Sequence, residues 1–142
     1  MTFVACGWGD NPVSEAPTRP RVLLADDEVL IRDLVQSGLE DAGYEVVGAA
    51  TGREAIDALA GDPAFCGLVT DINFGSAPTG WEVATRAREL NPHIAVVYMT
   101  GDSAHEWNAR GVPQSTVITK PFAPSQIAVA LAAQLNTTDG AA

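Results

Sequence analysis

The residues best suited to chemistry in this chain are polar side chains that directly follow short apolar runs. They are Asp26 and Asp27 after VLLA, Asp71 after GLVT, Thr100 after IAVVYM, and Lys120 after TVIT. A buried strand gains nothing from an acid, a hydroxyl or an amine in its core, because burying such groups costs free energy. The recurrence therefore indicates one site, assembled where several strands end.

The three acids favour a hard divalent cation at this site. Acidic residues near a helix start also cap it, and Asp26 and Asp27 fit that simpler interpretation. Capping does not account for Asp71, which follows a different apolar run. Carboxylates that converge repel one another unless a cation neutralises them, and Mg²⁺ prefers such oxygen ligands. We therefore predict a Mg²⁺ site, with Thr100 and Lys120 placed to hold an anion beside it.

Asp71 is the central acid of this set and the candidate nucleophile. Aspartate carboxylates attack phosphoryl groups and form aspartyl phosphates. A metal ion and a lysine neutralise the charge on the transferring group, and positioning contributes most of the catalysis. The residue types thus predict phosphoryl transfer to Asp71.

Composition excludes several classes of partner. The chain has 142 residues with 8 basic and 18 acidic side chains, a net charge of −10, and this surface repels nucleic acid and anionic membranes. No apolar run is long enough to span a bilayer, and no signal peptide precedes the first apolar run. The two cysteines lack metal-binding spacing and fit a reducing compartment. We expect a cytoplasmic protein without direct nucleic-acid or membrane contact.

The order of apolar patterns predicts an α/β fold. Runs rich in β-branched residues alternate with segments whose apolar residues recur at helical spacing, which is typical of a doubly wound parallel sheet. The predicted strands are 21–25, 45–49, 67–70, 94–99 and 116–119. Ligands of such sheets bind beyond the carboxyl ends of the strands, where the four polar sites fall. Strand order cannot be read from this periodicity.

The predicted domain covers residues 21–136. Residues 1–20, rich in Gly and Pro, are predicted to be a flexible N-terminal extension, and residues 137–142 a disordered end. The segment 104–111 has the weakest helical pattern.

Four motifs together resemble the receiver domain of two-component response regulators. They are LLADDE, VTDINF, VYMTGD and TKPF, and the resemblance covers about residues 20–136. It implies a flavodoxin-like five-stranded parallel sheet of order 2-1-3-4-5 with helices on both faces. It also implies phosphotransfer from the phosphohistidine of a histidine kinase or phosphotransfer protein. Such a domain catalyses only its own phosphorylation and dephosphorylation.

The resemblance also separates the roles of the site residues. It makes Asp71 the phosphoacceptor and a metal ligand. The remaining implied roles are direct Mg²⁺ binding by Asp27, binding largely through water by Asp26, a backbone carbonyl ligand from Asn73, and phosphoryl contacts from Thr100 and Lys120. Asn73 and Asp102 occupy variable positions that tune dephosphorylation in the family.

One position departs from the family pattern. Receivers often carry an aromatic residue three positions before the lysine, and here that residue is Val117. The usual threonine–aromatic switch is therefore in question. Backbone shifts around residues 100–112, or another aromatic such as Tyr98 or Trp107, are the alternatives.

The identity of partners stays open at this stage. The short ends predict a stand-alone receiver that acts by binding a downstream protein or by phosphorelay, although a fragment of a hybrid kinase also fits. Homodimerisation is left undecided. Two other functions remain as alternatives: a pseudo-receiver that binds without phosphotransfer, and a phosphohydrolase of the haloacid-dehalogenase kind. The second alternative places the acidic pair late in the chain, whereas here it comes first.

Overall fold

Five strands alternate with helices, as the apolar runs predicted. The computed structural model describes the backbone of residues 19–61 and 64–140, with side chains as far as residue 135. The elements are β1 Arg21–Ala25, α1 Val29–Asp41, β2 Glu45–Ala49, α2 Gly52–Gly61, β3 Phe65–Asp71, α3 Gly80–Leu90, β4 Ala95–Thr100, a 3₁₀ turn Ala104–Glu106, α4 Trp107–Arg110, β5 Thr116–Thr119 and α5 Pro124–Gly140.

The strands form one parallel sheet in the order β2-β1-β3-β4-β5. This confirms the doubly wound fold and the order implied by the family resemblance. After β2 the chain crosses back over β1 to start β3 on its other side. The carboxyl ends of β1 and β3 therefore flank the point where the order reverses, which is where doubly wound folds bind ligands.

The central strands are buried on both faces. Every residue of β3 and β4 is buried, which explains their continuous apolar runs. Alternate residues enter two core clusters, so that Leu23 packs in one and Val22 and Leu24 in the other. Residues of α2 and α3 complete the first cluster, and residues of α1 and α5 complete the second. The predicted helices on both faces are thereby confirmed.

Helices α1 and α5 approach each other closely at Gly38. A Cβ atom added there would lie 2.6 Å from Cβ of Pro124, well inside van der Waals contact. Only glycine permits this approach without a shift of one helix.

The segment with the weakest helical pattern forms only short turns. Residues 104–110 make a 3₁₀ turn followed by the four-residue α4. Trp107 is the only large apolar side chain of the segment, and it packs against the core. One buried anchor is too little to stabilise a longer helix.

Most of the predicted N-terminal extension falls outside the described residues. Residues 1–18, 141 and 142 lie outside them, and the flexible extension at 1–20 stays a prediction. Helix α5 continues to Gly140, beyond the boundary predicted at residue 136. None of the helices in the described residues has the length and apolar character needed to cross a bilayer.

Candidate functional site

The end of β1 supplies a buried and an exposed carboxylate. Asp26 is 0% exposed, and its Oδ1 accepts a 2.8 Å hydrogen bond from the backbone N–H of Glu28. Its Oδ2 is also buried and has no hydrogen-bond partner among the described residues. Asp27, the next residue, is exposed. A buried oxygen without a partner is costly, so Asp26 Oδ2 indicates a ligand at this position.

The end of β3 supplies the central acid. Asp71 is the last residue of the strand and is 7% exposed. Its Oδ1 accepts a 2.8 Å hydrogen bond from the N–H of Ile72, and its Oδ2 lies 3.6 Å from Nζ of Lys120. The carboxylate is therefore held at both oxygens in one orientation.

Helix α3 begins directly against the backbone of Asp71. A Cβ atom at Gly80 would overlap the carbonyl oxygen of Asp71, and the N–H of Gly80 donates to the carbonyl of Ile72 at 2.8 Å. The helix start is fixed by a capping box in which Thr79 and Glu82 bond each other's backbone N–H groups. Sequence reasoning missed Gly80. Its signal in the sequence is its place directly after Thr79, within the capping-box pattern that Thr79 forms with Glu82.

The three carboxylates converge as the sequence predicted. One oxygen from each of Asp26, Asp27 and Asp71 lies within 4.8 Å of the others. An all-oxygen donor set with an unpartnered buried oxygen fits Mg²⁺, which prefers hard oxygen ligands and retains waters. The residues present are thus suited to the predicted cation.

Burial and mutual repulsion set the ionisation of these acids. Burial raises the pKa of Asp71 to about 6, while Lys120 opposes the rise and the Asp26 charge adds to it. Burial likewise raises the pKa of Asp26, against the hydrogen bond from Glu28. Without a cation the site holds its negative charges at a cost in free energy.

Thr100 ends β4 with its hydroxyl turned into the following loop. The side chain is 1% exposed, and its Oγ1 accepts the backbone N–H groups of Asp102 at 3.2 Å and Ser103 at 2.8 Å. A hydroxyl accepts two hydrogen bonds and donates one. The two N–H groups occupy the acceptor positions, which leaves the hydroxyl proton to donate to a ligand.

Lys120 follows β5 and reaches across the site. Its backbone N–H donates to the carbonyl of Thr100 at 2.8 Å, which ties the lysine to the end of β4. Its Nζ lies between two acids, 3.6 Å from Asp71 Oδ2 and 3.8 Å from Glu28 Oε1. The peptide bond between Lys120 and Pro121 is cis. The structure therefore brings the lysine to the acidic cluster.

Asn73 lies in the loop after β3, two residues beyond the central acid. Its side-chain Nδ2 donates to Oγ of Ser103 at 3.2 Å, and the residue is exposed. Its backbone carbonyl stays a predicted metal ligand. Ser103, which sequence reasoning also missed, is buried at this contact. Its signal in the sequence is only its place three residues after Thr100.

Tyr98 is the aromatic residue packed beside Val117. The two are neighbours across β4 and β5, and the Tyr98 side chain is 0% exposed. Its hydroxyl accepts a 3.0 Å hydrogen bond from the N–H of Val112, in the loop before β5. Trp107 makes a separate contact, because its Nε1 donates to Oγ of Ser115 at 2.9 Å. Both aromatics named as alternatives to Val117 thus hold the α4–β5 loop.

The sequence of this chain matches the model of a known protein family. The family model for the response regulator receiver domain matches residues 22–132. The response regulator receiver protein CpdR of Brucella abortus is 35% identical over 104 residues, which cover 72% of this chain and 85% of CpdR.

Solved structures and longer relatives extend the comparison. A response regulator receiver protein from Sinorhizobium medicae superposes with a TM-score of 0.82 at 41% identity, covering 84% of this chain and 97% of that one. Nodulation protein W of Bradyrhizobium diazoefficiens is 26% identical over 127 residues, covering 88% of this chain. The chain spans 55% of the length of that relative. From the extent of the family match and the identity to CpdR, this chain belongs to the response regulator receiver domain family.

Proposed function

We propose that this chain is a phosphoacceptor response regulator, which takes a phosphoryl group onto Asp71 in a Mg²⁺-dependent reaction. The convergence of Asp26, Asp27 and Asp71, with oxygens within 4.8 Å of one another, is the observation that carries this proposal. The ammonium of Lys120, 3.6 Å from Asp71, would supply positive charge beside the transferring phosphoryl group, in addition to that of Mg²⁺.

Each side chain has a separate task in the proposed reaction. Asp26, Asp27, Asp71 and the carbonyl of Asn73 would hold Mg²⁺, which supplies positive charge next to the phosphoryl oxygens when bound. With a pKa of about 6, Asp71 is mainly ionised at neutral pH and can act as a nucleophile. The hydroxyl proton of Thr100 would donate to a phosphoryl oxygen.

The transfer itself is a displacement at phosphorus. A carboxylate oxygen of Asp71 forms a bond to phosphorus as the bond from phosphorus to the donor's imidazole nitrogen breaks. The imidazole leaves with the electron pair of that bond, and the charge on the phosphoryl oxygens is met by Lys120 and Thr100. Hydrolysis of the aspartyl phosphate returns the chain to its starting state.

The partners follow from this chemistry. The donor would be a histidine kinase or a phosphotransfer protein, and the output would be phosphorylation-dependent binding of another protein or a further relay step. A cytoplasmic location belongs to the same proposal, and homodimerisation stays undecided. The net charge of −10 supports an output that does not involve direct contact with nucleic acid.

The deciding experiment uses a small phosphodonor. The chain is incubated with acetyl phosphate and Mg²⁺, and its intact mass is measured. We expect one phosphoryl adduct, which is lost when Mg²⁺ is removed and abolished by Asp71→Asn. Asp57→Asn is the matched control, because Asp57 is an exposed acid on α2 that pairs with Arg53.

The other outcomes separate the alternative functions. An absence of adduct from acetyl phosphate and from phosphoramidate, with Mg²⁺ still bound, would identify a pseudo-receiver without phosphotransfer. Repeated turnover of p-nitrophenyl phosphate that depends on Asp71 would identify a phosphohydrolase.

A further inference from the structure

Arg32 connects helix α1 to the end of β1. Its Nη1 donates a 2.6 Å hydrogen bond to the backbone carbonyl of Asp26, which lies 6 residues earlier in the chain. The stem of its side chain lies over Gly48 of the edge strand β2, where an added Cβ atom would be 3.4 Å from Cδ of Arg32. One half-buried side chain of the helix is thus attached to the main chain that leads into the acidic cluster.

Asp26 is held by hydrogen bonds at its main chain and at one carboxylate oxygen. Its backbone N–H donates to the carbonyl of Ala49 at 3.1 Å, and its Oδ1 accepts the N–H of Glu28 at 2.8 Å. Its carbonyl accepts the bond from Arg32. The buried Oδ2 has no partner among the described residues, so this oxygen remains for a ligand.

The carbonyl that Arg32 binds also controls the placement of Asp27. A peptide unit is planar, so fixing the carbonyl oxygen of Asp26 also fixes the N–H of Asp27 and the direction toward its Cα. Asp27 is exposed, and its carboxylate therefore gains little orientation from packing. It nonetheless supplies one of the carboxylate oxygens that lie within 4.8 Å of one another in the acidic cluster. The bond from Arg32 restricts the backbone rotation that would carry this carboxylate out of the cluster.

The guanidinium of Arg32 has two opposite effects on a cation in the cluster. Arginine is always protonated, so its charge repels Mg²⁺. Its hydrogen bond orients the ligands of Mg²⁺, and removing a residue that orients metal ligands typically lowers metal affinity about tenfold to a hundredfold. The charge alone predicts tighter Mg²⁺ binding when Arg32 is removed, whereas orientation predicts weaker binding. Because water weakens the repulsion at a partly exposed side chain, orientation should dominate.

We propose that Arg32 is a positioning residue for the metal site, which holds the peptide unit between Asp26 and Asp27 so that the Asp27 carboxylate faces Mg²⁺. This inference rests on the phosphoacceptor function proposed above. It adds to the site a residue of α1 that acts through the main chain and binds neither the cation nor the phosphoryl group.

The first test is the Mg²⁺ affinity of Arg32→Met, measured by isothermal titration on the full chain. Methionine keeps an unbranched stem with a high helix propensity, and it removes both the donor and the charge. We expect the affinity to fall about tenfold, opposite in sign to the effect of the lost charge. Arg53→Met is the matched control, because Arg53 is an exposed arginine on α2 that pairs with Asp57, and its loss should not weaken binding. Unchanged or tighter binding by Arg32→Met would overturn the inference.

The reaction with acetyl phosphate separates the orientation of metal ligands from general damage to the fold. In Arg32→Met the Mg²⁺ concentration that gives half the maximal rate of adduct formation should rise about tenfold. The rate at saturating Mg²⁺ should stay within about twofold of that of the unmodified chain. A lower rate at saturation with an unchanged Mg²⁺ requirement would overturn the inference. Failure of the unmodified chain to bind Mg²⁺ or to form any adduct would instead overturn the proposed function itself.

A double-mutant cycle identifies the ligand through which Arg32 acts. If that ligand is Asp27, adding Arg32→Met to Asp27→Ala should lower Mg²⁺ affinity by less than about twofold further, because the two changes remove the same interaction. A further loss of about tenfold would show that Arg32 acts independently of Asp27 and would overturn the assignment. Arg32→Gln, whose side chain is too short to reach the carbonyl of Asp26, repeats each measurement should the methionine variant not fold.

Discussion

The two halves of the site differ in how completely their polar atoms are satisfied. In the half formed by β1 and β3, Asp26 Oδ2 has no partner among the described residues, and burial raises the pKa of Asp71 to about 6. In the half formed by β4 and β5, Thr100 accepts two backbone N–H groups and Lys120 is tied to the carbonyl of Thr100. The first half holds buried carboxylates whose charges a cation would neutralise, whereas the polar groups of the second half are satisfied by hydrogen bonds within the protein.

The free-energy cost of forming the site therefore falls on the half formed by β1 and β3. Converging carboxylates without a cation destabilise the fold, since each raises the cost of ionising its neighbours. The β4–β5 half stabilises the fold through its own hydrogen bonds. Removing polar groups from the two halves should therefore change stability in opposite directions.

The largest expected effect is stabilisation of the metal-free protein by Asp71→Asn. The folded-state pKa of about 6 exceeds the ordinary value of 3.8, so between these pH values the folded state binds more protons. Stability from this group is present below pH 3.8 and is lost as pH rises through 6. At pH 8 the variant should gain up to roughly 3 kcal/mol in the free energy of unfolding. Urea unfolding in EDTA at pH 5 and pH 8 measures it.

The pH comparison supplies its own control. Both forms carry the same histidines and other acids, so the difference between them isolates Asp71. The advantage of Asp71→Asn should shrink at pH 5, where much of the native carboxyl is protonated. A variant that is no more stable than the unmodified protein at pH 8 would contradict the account of the acidic half.

A smaller effect of opposite sign is expected for Thr100→Ala. Truncation leaves the backbone N–H groups of Asp102 and Ser103 without their acceptor, which costs about 2 kcal/mol at a buried position. Thr119→Ala is the matched control, because Thr119 is the exposed neighbour of Thr100 on β5. Thermal and urea unfolding should show a loss for Thr100→Ala alone. Equal losses in both variants would remove the contrast between the halves.

The smallest effect concerns the cation. Asp27→Ala removes the exposed carboxylate of the cluster, and we expect Mg²⁺ affinity to fall about tenfold, near 1.4 kcal/mol. Isothermal titration with Mg²⁺ measures the change. Asp33→Ala, at an exposed acid on α1, should bind as the unmodified chain does. Unchanged affinity in Asp27→Ala would remove Asp27 from the set of ligands.

The sequence predicted those features of the site that depend on the sheet alone. Asp26, Asp71, Thr100 and Lys120 each follow or end a strand of the sheet, and parallel strands place their carboxyl ends at one edge. Their convergence follows from alternation of strands and helices without any knowledge of loops. The strand order came from the family resemblance, since periodicity carries no information about neighbours.

What the sequence could not predict depends on contacts between distant loops. Ser103 reaches Asn73 across 30 residues, and a serine in a loop has no periodic signal that would reveal such a partner. The unpartnered oxygen of Asp26 is likewise a property of packing and not of residue type. The short α4 was only partly foreseen, because a weak stripe predicts a weak helix but not where it stops.

The start of α3 against the Asp71 backbone has a consequence for protein engineering. Position 80 contacts Asp71 through main-chain atoms alone, since a Cβ there would overlap the carbonyl oxygen of Asp71. In a library that samples every amino acid at each position, residue 80 would rank with the acidic cluster in its intolerance. A screen for function would then identify Gly80 as essential, although glycine has no side chain that could take part in chemistry. Close packing of the main chain at one position can therefore cause the same intolerance to substitution as a reactive side chain does.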